Sequence, residues 1–175
     1  MSVFLQPIYT QTASGSASSI TFNNIPQFYT DLIIVASLRE SLAAGDEVAY
    51  LQFNSDASSG LYSETRIYGS GSSASSDRAS GQNYIRALHS MGSTSTANSY
   101  TNCSVYIPNY SGNTFKSTLS DYVTEQNSGA ASTYQVEVSG LWRKTDAITK
   151  IQILVTGNFT NASTISLYGI LRAGA

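Results

Sequence analysis

Between Lys150 and Thr156 the chain alternates. Ile151, Ile153 and Val155 take one parity, and Lys150, Gln152 and Thr156 the other. A period of two marks a strand with one buried face, and a helix does not produce it. The pattern returns over Ser163 to Ile170, where Tyr168 and Ile170 add apolar bulk to the second face. A closing strand apolar on both sides is either central in the fold or covered by a partner. Turn signals recur along the chain at Asn54-Ser55-Asp56, Asn109-Tyr110-Ser111-Gly112, Asn127-Ser128-Gly129 and Gly157-Asn158. No segment carries a helical repeat. The expectation is an all-β, antiparallel β-sandwich, jelly-roll-like, formed by a single domain over residues 1–175.

Taken in order, Val3 to Tyr9 reads as a first strand at a sheet edge, because Pro7 has no N–H for a ladder. Ser19 to Asn23 turns Ile20 and Phe22 inward, and Ile25 to Thr30 is too apolar for a free loop, so it folds back over one end of the core. Leu32-Ile33-Ile34-Val35-Ala36 is short and β-branched, which predicts a strand buried on both faces. Strands follow at Ala49 to Phe53 and Tyr62 to Tyr68. The Ser/Gly-rich run at 69–82 cannot bury enough apolar surface to hold itself, and is expected to be an exposed, mobile loop. Further strands are expected at Asn83 to Ser90, Thr101 to Pro108, Phe115 to Glu125 and Tyr134 to Trp142. In Thr101 to Pro108, Cys103, Val105 and Ile107 point one way.

A chain of this length buries roughly 70% of its unfolded surface, so it needs neither disulfide nor metal to fold. Only 11% of residues are charged, against about 25% in an ordinary domain. Ser, Thr, Asn and Gln fill the polar positions, a surface suited to protein or sugar. A net charge of −2 with scattered lysines argues against nucleic acid. The single cysteine, Cys103, rules out an internal disulfide framework and a cysteine zinc site. Met1 to Pro7 lacks the charged and apolar regions of a signal peptide, and no apolar run is long enough to span a bilayer. Synthesis in a cytosol, with no membrane partner, is the expectation.

Catalytic chemistry finds little purchase, and the expectation is a protein that is not an enzyme and carries no cofactor. His89 is the sole histidine, with no nucleophile elbow or carboxylate near it in sequence, and reads as a half-exposed strand residue. Cys103 reads as a small buried thiol. Asn54, Asp56 and Glu64 match no calcium-loop spacing. Asp121, Glu125 and Glu137 sit at outward strand positions, and nothing in the spacing singles out a glycosidase pair. The glycines at Gly69 and Gly71 are followed by neither a Lys-Ser/Thr nor a helix, so they make no phosphate loop. Binding falls to the 12 tyrosines. Tyr62, Tyr68 and Tyr122 are candidate surface aromatics. Tyr106, Tyr110, Tyr168 and Ile170 are the candidate interface. Cross-strand pairing on a sheet face is the purely structural alternative.

Several segments carry a family likeness together: Ile20-Thr21-Phe22-Asn23-Asn24-Ile25-Pro26-Gln27-Phe28-Tyr29-Thr30-Asp31-Leu32, Leu51-Gln52-Phe53-Asn54, Tyr106-Ile107-Pro108-Asn109-Tyr110, Gly140-Leu141-Trp142-Arg143, Ala147-Ile148-Thr149-Lys150-Ile151, and Ser166-Leu167-Tyr168-Gly169-Ile170. In this order they resemble small virion structural proteins of tailed bacteriophages, variously labelled tail-fibre-like or structural. The resemblance spans almost the whole chain and implies no catalytic residues. It implies a virion location after synthesis in the host bacterial cytoplasm, and one of two roles. The first is a capsid decoration (cement) protein, a homo-oligomer, specifically a trimer, bound to the major capsid protein or other virion proteins. The second is a tail-fibre or receptor-binding module for host glycan. The sequence shows no stalk, heptad or collagen-like repeat, which favours decoration.

Overall fold

The structure is a computed structural model and describes residues 5–127 and 133–171. Val3, where the first strand was expected to begin, lies outside the described residues, as do Ser128 and Gly129 of one expected turn. The strands are β1 (Leu5–Thr12), β2 (Ser19–Phe22), β3 (Asp31–Leu38), β4 (Asp46–Phe53), β5 (Tyr62–Gly69) and β6 (Ala74–Gln82). They continue as β7 (Ile85–Met91), β8 (Thr101–Ile107), β9 (Lys116–Val123), β10 (Gln135–Trp142), β11 (Ile151–Leu154) and β12 (Thr164–Ile170). All named ladders are antiparallel, as expected for an all-β sandwich.

An eight-stranded sheet, β1-β12-β3-β8-β9-β10-β5-β6, packs on a four-stranded sheet, β2-β11-β4-β7. The jelly-roll order is visible once β8, β9 and β10 are counted as one member. Counting from β2, the small sheet then runs first-eighth-third-sixth and the large one second-seventh-fourth-fifth. Replacing one strand by a three-strand meander keeps the parity, so β8 still meets β3 and β10 still meets β5 antiparallel. The pair β12 and β1 extends the large sheet beyond β3. Pro7 sits on edge strand β1, where its missing N–H breaks no inner ladder.

The core lies between the sheets. Leu32, Ile34, Val105, Ile107, Val138 and Leu167 face Phe22, Leu51, Phe53, Ile151 and Ile153, all buried. Trp142 anchors one end, stacked on Tyr62 at 6.3 Å and tilted against Phe53 at 5.5 Å. The segment after β2 closes that space as expected. Ile25 is buried, Thr30 N–H donates to Ile170 O at 2.8 Å, and the Tyr29 ring lies against Gly169, where a Cβ would collide with it. A glycine in the closing Ser166-Leu167-Tyr168-Gly169-Ile170 motif therefore makes room for a tyrosine of the opening Phe28-Tyr29-Thr30 motif.

Two readings are corrected here. The 69–82 run is not a loop. Residues 74–82 form β6, paired along β5 from Gly69↔Ala74 to Tyr62↔Gln82. Its side chains are mostly exposed, and two other things hold it: the ladder, and an Arg66–Asp77 ion pair that joins the strands through bonds of 2.9 and 2.5 Å. Nor is β3 buried on both faces. Its even-numbered residues face the core, while Val35 on the other face is 47% exposed. The small sheet covers only one side of the large one.

Candidate functional site

The uncovered face of the eight-stranded sheet is built by register. One row runs Pro7, Tyr168, Ile33, Tyr106, Leu119, Ser139, Thr65, Arg78 across all eight strands. The next runs Thr10, Ser166, Val35, Ser104, Asp121, Glu137, Ile67, Ser76. A third carries Thr164, Ser37, Asn102, Val123 and Gln135. Large apolar side chains lie open along these rows, with Ile67 56% and Leu119 46% exposed, and Tyr106 and Val123 exposed beside them.

Two depressions mark the face. One, of about 640 Å³, is lined by Ile67, Gly69, Ser76, Leu119, Gln135 and Glu137 among others. The second, of about 660 Å³, is lined by Val35, Ser37, Asn102, Ser104, Val123 and Thr164 among others. Asp121 and Gln135 line both, so the two depressions meet at the β9–β10 ladder. Ser104 Oγ donates to Asp121 Oδ1. At the rim, Tyr106 O–H donates to Asp31 Oδ2 at 2.8 Å, and that bond raises the phenol pKa. Asn109 N–H holds the other oxygen of the same carboxylate at 2.8 Å.

The face owes its chemistry to β9, whose alternation is inverted. Lys116, Thr118, Ser120 and Tyr122 are buried, while Ser117, Leu119, Asp121 and Val123 face out. Lys116 Nζ donates to the carbonyls of Gly112, Thr114 and Thr145 at 2.7, 2.5 and 3.2 Å. Burial pulls its pKa down. Tyr122 stacks on His89 with ring centres 5.0 Å apart, and burial raises its phenol to about 12.

Of the expected binding residues, the structure brings Tyr106 and Tyr168 into one row and places Ile170 on the same side of β12, opposite Leu5 and Asp31. Three others are not at the surface. Tyr110 is fully buried, its hydroxyl donating to Pro26 O, because its turn folds back over the end of the core. Tyr62 faces Trp142 and bonds Phe53 N–H at 3.1 Å. Buried Glu64, paired with Arg86, shares the inward parity of Tyr62 and hides it in the sequence. Tyr122 follows the inverted strand inward. Tyr68 is half-buried, edge-on to Tyr134 at 6.1 Å.

The remaining candidates resolve similarly. His89 is buried, not half-exposed. Its Nδ1 lies 3.3 Å from Asp46 Oδ2 without hydrogen-bond alignment, and burial drops the imidazole to about 3, with the Arg66 charge adding to the effect. Cys103 is buried as expected, its thiol raised to about 12 by burial. Asn54, at φ 52°, accepts from Thr149 N–H and Lys150 N–H at 2.9 and 3.1 Å, so it organises a turn. Asp56 accepts from Ser58 N–H, and Glu64 is occupied by Arg86. Among the described residues, no group of three or more His, Cys, Asp or Glu is placed to hold a metal. Asp121 and Glu137, by contrast, are direct cross-strand neighbours, a proximity that their separation in sequence hides. Val35, Ile67, Leu119 and Val123 are absent from the expected binding residues, and for Leu119 and Val123 the signal was the inverted alternation of Lys116 to Val123.

Fold and face together define a jelly-roll sandwich with one broad sheet face open. No protein-family model matches the chain, and no curated protein matches it. Among solved structures it is similar to the CBM40 of the Ruminococcus gnavus IT-sialidase bound to alpha2,6 sialyllactose, at 7% identity and a TM-score of 0.33, over 95% of each chain.

Proposed function

We propose that this chain is a non-enzymatic structural protein of a tailed-phage virion, a decoration protein that docks on the shell through the open face of its eight-stranded sheet. The observation that supports the reading is the solvent-facing aliphatic set Val35, Ile67, Leu119 and Val123, spread over β3, β9 and β5 of that face. Large apolar side chains gathered on one face, rather than scattered singly, mark a contact surface. Binding across neighbouring shell subunits would stabilise the assembled state by mass action.

The receptor-binding alternative draws on the hydroxyls and amides of the second depression, Ser37, Asn102, Ser104 and Thr164. Sugar platforms depend on exposed aromatic faces, whereas the tyrosines lining the two depressions, Tyr68 and Tyr122, belong to the inward-facing parity. That favours a protein partner over a glycan. The test is the copy number of the chain in purified particles. A number in fixed proportion to the major shell protein is expected, and V35N/L119N should lose attachment while keeping its fold. A handful of copies per particle moves the protein to the tail, and none refutes the virion reading.

A further inference from the structure

The open face has a charge pattern as well as an apolar one. Within its strands the outward charged residues are Asp31, Asp121, Glu137 and Arg78. Three carboxylates against one guanidinium equal the formal net charge of the whole chain, −2. Asp121 and Glu137 oppose each other directly across the β9–β10 ladder. Like charges in that relation destabilise a sheet. Arg78 does not relieve them, since it lies on edge strand β6 and in the neighbouring row, opposite Thr65. Around the pair stand Leu119, Ile67, Val123 and Val35, all exposed.

These features select an occupant. A second copy docking face to face would bring two more carboxylates onto the pair, and nucleic acid or an acidic glycan would be repelled. A surface offering a cation between the two carboxylates, with aliphatic side chains around it, satisfies both charge and apolar area. Resting on the docking reading above, we infer that the partner presents lysine or arginine side chains set among aliphatic ones. The cation seats at Asp121 and Glu137, and its apolar neighbours fill the two depressions on either side.

The test is an NMR titration of the isotope-labelled chain with a short synthetic peptide alternating lysine and valine, beside a glutamate–valine counterpart. Expected are amide shifts centred on Val35, Ser104, Asp121 and Glu137 with the lysine peptide alone. Affinity should fall roughly tenfold in D121N/E137Q. It should hold in E47Q/D56N, which removes the same formal charge away from this face, and Trp142 fluorescence melts confirm that each variant folds. Scattered shifts, an equal response to both peptides, or unchanged affinity in D121N/E137Q overturns the inference. So do concentration-dependent shifts of the face without peptide, which identify a second copy, and lactose shifting the same residues when the lysine peptide does not. Re-addition to stripped particles separates the two readings. If the lysine peptide binds the face but particles do not take the chain back, the decoration reading fails and the inference stands. If particles take back D121N/E137Q as well as the wild type but reject V35N/L119N, the docking face stands and the inference fails.

Discussion

Lowering the pH from about 7 to about 5 should remove about 2 kcal/mol of folding stability through one side chain, His89. The folded state holds this imidazole neutral, at about 3 against an ordinary 6.5, because it is buried between the sheets beside Tyr122, with the Arg66 charge acting in the same direction. An unfolded chain protonates its histidine normally. Below the unfolded pKa the unfolded state therefore binds more protons than the folded one, and stability falls with pH until the folded pKa is passed. The loss by pH 5 depends on the unfolded value alone, provided that the folded one lies well below 5. The lowered carboxylates, Asp77 beside Arg66 and Asp56 beside Ser58, act in the same sense, but only near and below the ordinary aspartate value of 3.8. With one histidine in the chain, the window belongs to His89.

The assay is urea unfolding at steps across that range, followed by the fluorescence of Trp142, the sole tryptophan and 1% exposed. Wild type should lose the stated amount with an unchanged urea slope, while H89Q should give a flat profile whatever its absolute stability. The competing outcome has a definite structural source. Nδ1 stands 3.3 Å from Asp46 Oδ2. Were that pair to hold an imidazolium, stability would be level or rising as the pH falls. A level or rising wild-type profile refutes the argument that burial decides the charge of His89.

Three other perturbations follow from the packing. K116M strands the carbonyls of Gly112, Thr114 and Thr145 and should cost about 2–4 kcal/mol in the same unfolding assay. G169A drives a methyl into the Tyr29 ring and should cost about 1–3 kcal/mol, with a smaller loss when Tyr29 is changed to Leu in the same chain. D77N removes the charge that ties β6 to β5, so hydrogen exchange should quicken over residues 74–82 and stay unchanged over β3 and β8.

Where side chains alone decide a strand's orientation, the sequence was sufficient. Cys103, Val105 and Ile107, and Val136, Val138 and Trp142, each fill one parity and each set is buried. Reading failed where the ladder decides instead. β6 has almost no apolar side chains, and it exists because β5 offers a paired edge and Arg66 reaches Asp77. Tyr62 and Glu64 face inward together because an ion pair with Arg86 makes burial of a carboxylate tolerable, and that partner lies far along the chain. The outward positions of Tyr106, Tyr168 and Asp121 were legible from alternation. The pairing of Asp121 with Glu137 was not, since register across β9 and β10 is a property of the assembled sheet.

β9 connects stability to the proposed role. Its inward Thr118 and Ser120 hydroxyls are buried without a hydrogen-bond partner, while Leu119 and Val123 stand in solvent. A one-residue slip would exchange the two sets and bury the leucine and valine. It would also bury Asp121 and carry Lys116 away from its three carbonyls and Tyr122 away from His89, so the observed register is held from both ends and the middle. Asp121 could thus be explained as a register guard alone. That account leaves Glu137 unexplained, because β10 already has Val136 and Val138 to fix its orientation, and an uncharged residue opposite Asp121 would avoid the repulsion. A register guard needs one carboxylate, and the second is accounted for by a cation arriving from outside. The two accounts separate on one comparison: E137Q should leave the unfolding free energy level or raise it, and weaken binding of the lysine–valine peptide.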